Sequence, residues 1–169
     1  MKRRILQILG VAAIATIGMV SCDTDPCKDV DCGLYGECVD GDCECDLGYE
    51  GVACATESRA DFIGSYLINE ESCDVVNKAA SIAASSTGAN KIAISNFGDF
   101  ACGGTPIVVI ATVLGNDVTV DANQSFCSGD IVINSGSGSI NASGTVVTIT
   151  YSSTFGGSTG SCTTVFTPL

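Results

Sequence analysis

Histidine and tryptophan are absent from this 169-residue chain, proline occurs three times, and seven Lys and Arg face nineteen Asp and Glu. Without histidine, neither a Ser-His-Asp nor a Cys-His nucleophile can be assembled, and the usual His-containing zinc motifs are excluded. A Ser-Lys arrangement would have to use Lys78 or Lys91, and serine without a base reads as strand surface or turn. The shortage of basic residues disfavours charge-driven binding to nucleic acid or to an anionic membrane surface. No enzyme is expected.

What the chain does hold is unevenly spread. Its long apolar run, "ILQILGVAAIATIGMV", follows the cationic start "MKRR" and has the length of a signal-peptide core, slightly short for a membrane span. The run stops at Ser21-Cys22, a small residue followed by cysteine, which resembles the lipobox of bacterial lipoproteins. That resemblance implies a signal peptide over 1–21, lipidation of the Cys22 thiol, and a lipid-anchored N-terminus over 22–26. Of eleven cysteines, assigning Cys22 to lipid leaves an even number for pairing. Removing residues 1–21 leaves four basic residues (Lys28, Arg59, Lys78 and Lys91) against nineteen acidic ones, a net charge of −15. The lipid, not a basic patch, would hold the protein to the membrane.

Six cysteines lie between 27 and 54. Such density marks an oxidised module too small to build a core, and oxidised cysteines point to export. The order Cys27, Cys32, Cys38, Cys43, Cys45, Cys54, with Gly48, Tyr49 and Gly51 near its end, resembles the epidermal-growth-factor-like pattern. Sequence alone leaves fifteen pairings open. The resemblance implies Cys27–Cys38, Cys32–Cys43 and Cys45–Cys54. Some modules of that family bind calcium, and by this resemblance Asp23, Asp25 and Asp40 are the candidate ligands, oxygen donors of the kind calcium prefers. The same acidic residues equally suit a solvated face. No other cofactor is expected.

Residues 55–61 read as a short polar linker, and beyond them Val, Ile, Thr, Ser and Gly dominate. Runs of strand-like residues cut by turns predict strands over 62–70, 75–85, 91–97, 106–114, 117–123, 130–140, 145–154 and 160–166. In "ATVLGNDVTV" the Gly115-Asn116-Asp117 step separates two such runs as a tight hairpin. In "GTVVTITY", Val147, Ile149 and Tyr151 share one face. The segment "AASIAASSTG" also tolerates a helix.

The fold class is therefore mainly β: a signal helix, a small disulfide-rich module, and an antiparallel meander barrel of about eight strands over 62–169. "FIGSY" resembles the opening turn of the lipocalin-like group, and the arrangement is similar to lipocalin-like or calycin-like domains of Bacteroidota-type surface lipoproteins. If the strands alternate up and down, Cys73, Cys102, Cys127 and Cys162 fall at one end, and closure sets the first strand beside the last. Cys73–Cys162 is then expected across the seam, leaving Cys102–Cys127. The inward set is Ile92, Ile94, Val109, Ala111, Val118, Val120, Val147 and Ile149, with Phe62, Phe97, Phe100, Tyr151 and Phe155 as aromatic plugs.

Paired carboxylates could hydrolyse glycosides, but nothing sets Asp99, Asp117, Asp121 or Asp130 as such a pair. "SGSGSINASG" lacks the context of a phosphate loop and reads as a hairpin or bulged strand. The expected function is that of an outer-membrane lipoprotein of the cell envelope, exposed at the surface, whose module acts as a stalk for a non-catalytic barrel used in binding or adhesion. Its partners would be the membrane, through the lipid, and a protein, glycan or small apolar ligand. The alternative is a periplasm-facing carrier of a small apolar ligand, which needs a hollow barrel.

Overall fold

The computed structural model describes residues 25–169. The expected signal segment, Cys22 and Asp23 lie outside the described residues. Among those described, no helix is long and apolar enough to cross a membrane.

The N-terminal module is a hairpin of β1 (Gly36–Val39) and β2 (Asp42–Cys45), held by Cys27–Cys38, Cys32–Cys43 and Cys45–Cys54. Its turn places Asp40 at φ +52° and Gly41 at +97°. Within the module only Cys32 and Cys54 are buried apolar residues, so cross-links do what a core cannot at this size. A second hairpin, β3 (Tyr49–Glu50) with β4 (Thr56–Glu57), leads towards the barrel. Residues 55–61 are consequently structured. The Ser58 N–H donates to Gly48 O at 2.9 Å, and a 3-10 turn, Ala60–Phe62, buries Phe62.

The barrel strands are β5 (Gly64–Glu70), β6 (Val75–Ala84), β7 (Lys91–Ser95), β10 (Val108–Leu114), β11 (Asp117–Val120), β13 (Ile131–Ile140), β14 (Val147–Phe155) and β15 (Ser158–Pro168). Two small pieces, β8 (Ala101–Cys102) and β9 (Thr105–Pro106), form a hairpin in the loop after β7. A third, β12 (Gln124–Phe126), adds to the start of β13. Consecutive barrel strands pair antiparallel, β11 pairs with β13, and β15 pairs with β5, so the eight strands close. Closure removes most of the unpaired edge that an open sheet would expose.

Alternation sets the interior. Ile92, Ile94, Val109, Ala111, Val118, Val120, Val147, Ile149 and Tyr151 are all buried, with Phe62, Phe97 and Phe166 among them. The interior is filled by side chains. Phe155 departs from the expectation. At the tip of β14 it is 60% exposed, because the sheet there has run beyond the closed part of the barrel.

Element ends differ from the sequence reading for local reasons. Phe62 closes a 3-10 turn and does not begin a strand. Asn96 takes φ +59° and ends β7, so it does not continue the face of Ile92 and Ile94. Asn123 at φ +57° lies beyond the end of β11 at Val120. The "AASIAASSTG" segment is strand through Ala84, where pairing of Ile82 with Ile94 overrides alanine's helix preference. In β13 a bulge at Ile133/Ser135 precedes Gly136. A Cβ on Gly136 would stand 2.8 Å from Tyr151 Cβ and 2.9 Å from Val120 Cγ2, so glycine makes room where the barrel closes.

Candidate functional site

The barrel has two unlike ends. One carries the start of β5, the β6–β7 loop and the β13–β14 turn, and the module docks there. Gly48 lies against Ala89 and Asn90, where a Cβ would come within 2.7 Å of Asn90 N. Arg59, with its side chain 11% exposed, fixes this junction. One of its terminal nitrogens shares its two hydrogens among Ser85 O (2.8 Å), Gly88 O (2.8 Å) and Lys91 O (3.0 Å), and its Nε donates to Glu57 at 2.8 Å. The guanidinium holds the Glu57 carboxyl below its ordinary pKa.

The opposite, distal end gathers the 71–74 turn, the 96–107 loop, the 121–130 segment and the Gly156-Gly157 turn. Cys102–Cys127 ties two of these loops together, and Cys73–Cys162 ties the 71–74 turn to β15 across the seam. Cys162 sits within β15, not at its start, because that strand begins at Ser158. Phe155 stands exposed on this rim with Phe100 beside it, ring centroids 6.3 Å apart.

Beneath the rim lies a group that the sequence reading missed. Glu70 is 1% exposed and points into the barrel. Thr164 Oγ1 donates to it, and the Tyr151 hydroxyl lies 3.1 and 3.2 Å from its two oxygens. Burial raises the Glu70 pKa against the opposing pull of these hydroxyls. Burial, then the neighbouring Glu70, also raises that of Tyr151, which stays a donor. Gly98 leaves space for the phenol, since a Cβ there would meet its oxygen. The sulfurs of Cys73 and Cys162 lie close to the carboxylate, but as a disulfide they are not thiolate ligands. One shielded carboxylate braced by two hydroxyls is a strut. The signal was present in the alternation of Tyr66, Ile68 and Glu70 on one face of β5.

The other polar candidates do not converge on chemistry. Lys78 pairs with Asp99 at 2.9 Å on the surface, and Lys91 pairs with Asp121 at 2.7 Å beside Thr112. Both lysines are thus held by carboxylates, with no serine among these partners. Asp117 is an exposed hairpin residue and Asp130 an exposed rim residue. Of the calcium candidates, Asp25 turns its carboxylate to the Cys27 N–H at 2.9 Å, and Asp40 occupies an exposed turn. Neither belongs to a group of three ligating side chains among the described residues.

The exterior is electrostatically lopsided. From Ile131 to Leu169 there is no Asp, Glu, Lys or Arg. The three strands β13, β14 and β15 present hydroxyls, including the cross-strand pairs Thr150–Thr163 and Thr154–Thr159, each at 2.9 Å. No family model, curated protein or solved structure matches the chain.

Proposed function

We propose that this is a lipid-anchored protein of the cell envelope, exposed at the outer-membrane surface, in which an epidermal-growth-factor-like stalk presents a non-catalytic barrel for binding a protein or glycan partner. The observation that carries the reading is the polarity of the molecule. The module, which leads back towards Cys22, docks on one end of the barrel, while the pinned loops and exposed Phe155 crown the other. Arg59 and the β3–β4 hairpin make the joint stiff, as a stalk requires. A filled interior supports recognition by the outside of the barrel in preference to carriage within it.

The experiment is protease accessibility on intact cells, comparing the native chain with Cys22→Ala and weighing the N-terminal peptide for acyl groups. The expected result is an acylated native protein cut by external protease and a Cys22→Ala form without acyl mass. Acylated protein that stays protected until the outer membrane is opened would overturn surface exposure. Absence of acylation on Cys22 would overturn the anchor.

A further inference from the structure

We propose that the free edge of β15, Ser158–Thr163, together with the notch beside it, is a docking strip for an extended peptide strand bearing a lysine or arginine. This rests on the reading of the barrel as a binding head and names the kind of partner it takes. β15 pairs with β14 from Ser158 to Phe166, but with β5 only from Val165 to Pro168. On that second side the upper part of β15 has no neighbouring strand; the 71–74 turn reaches it only at Cys162, through the bridge from Cys73, and alternate backbone N–H and C=O groups above that point face outward unpaired.

Two contrasts mark this edge. Two of the devices that usually blunt an edge are missing: Ser158 to Thr163 hold no charge and no proline, Ser158 to Ser161 are exposed, and a Cβ on Gly160 would meet nothing within 4 Å, so the 71–74 turn covers the edge only at Cys162. Where β10 outruns β11 near the same rim, the ladder is instead completed by a side chain. There Gln124 accepts from Ile110 N at 2.7 Å and donates to Ile110 O at 2.8 Å. One irregular edge is satisfied internally and the other is left open above Cys162.

The notch gives the strip its selectivity. Where β5 ends, a cleft of about 310 Å³ opens between Asn69, Glu71 and Ser72 on one side and Thr163 and Val165 on the other. A strand added antiparallel to β15 would continue the line of β5 and turn alternate side chains towards this cleft. Val165 and the Thr163 methyl suit an alkyl stem, and the exposed Glu71 carboxylate suits the cation at its end. A second copy is the poorer occupant, because a chain of net charge −12 repels itself and has few cations to offer Glu71.

The test selects a phage-displayed random heptapeptide library against the full chain purified in detergent, then measures affinity and amide exchange with the enriched peptides. Enriched peptides are expected to carry Lys or Arg and to slow exchange within Ser158–Thr163. Gly160→Lys, which sets a cation in the exposed strip, is expected to weaken binding about tenfold or more. Glu71→Gln is expected to weaken it about threefold for the basic peptide and leave its Lys→Gln version unchanged. Unchanged thermal melting of both variants separates lost binding from lost folding. No enrichment, or protection elsewhere, would overturn the proposal. Concentration-dependent self-association that protects Ser158–Thr163 without peptide would also overturn it, assigning the strip to a second copy. Because purified protein is used, failure here is distinct from failure of anchoring or surface exposure.

Discussion

Glu70 shows how a single buried side chain makes stability depend on pH. Its carboxyl has a raised pKa in the fold, so the folded state binds the proton more tightly than the unfolded chain does. Its contribution is fully present below the ordinary glutamate pKa of 4.5 and is lost as pH rises through the folded value. Glu70→Gln keeps the size and a hydrogen-bonding group but cannot ionise. Unfolding free energy, measured by denaturant across acid to neutral pH, should therefore fall for the native chain relative to this variant as pH rises; a constant difference would refute the assignment. Arg59 works differently, through several hydrogen bonds from one charged group. Arg59→Ala should cost about 2–3 kcal/mol in chemical denaturation, with exchange accelerated first in the 85–91 loop. Arg59→Lys should recover only part of it, since one ammonium cannot reproduce the planar fork.

At the scale of elements, the meander was legible because its strands alternate and its turns carry glycine and asparagine. The Leu114–Asp117 pairing across Gly115 and Asn116 follows the sequence closely, with Gly115 at φ +56°. What could not be read were pieces whose existence depends on neighbours. β4 forms because β3 lies beside it, β12 because β13 extends past β11, and the end of β5 because the 71–74 turn is tied to Cys162. The two barrel disulfides close loops of different length, separations of 89 and 25 residues. Replacing Cys73 and Cys162 by Ser should destabilise the barrel by about 4.6 kcal/mol, and replacing Cys102 and Cys127 by about 3.5 kcal/mol, on the chain-entropy estimate. Denaturant midpoints of the two double variants give the comparison, and an equal or inverted order would show that strand β15 is held by packing more than by the seam bridge.

For the molecule as a whole, charge and hydroxyls are segregated. The acidic residues occupy the module and the first part of the barrel, and the strands from β13 to β15 carry none. Like charge opposes the approach of two copies, while the uncharged side can be covered without desolvating ions. This distribution sets the free β15 edge on the side where a strand can add at least electrostatic cost. It also explains why the candidate surface was not legible as a motif: a Ser/Thr/Gly strand looks the same whether its edge is paired or free.

The sequence by itself determined the strand-rich composition, the tight N-terminal cysteine spacing, the inward faces of β7, β10, β11 and β14, and the absence of histidine chemistry, because these depend on residue identity and on a period of two. Only the tertiary structure decided that Glu70 is buried between Tyr151 and Thr164, that Phe155 is exposed, that Arg59 ties the module's hairpin to the β6–β7 loop, and that β15 outruns β5. Those are properties of closure. Where a curved sheet meets itself, strands of unequal length must leave something unpaired, and no local pattern records which strand is the longer neighbour.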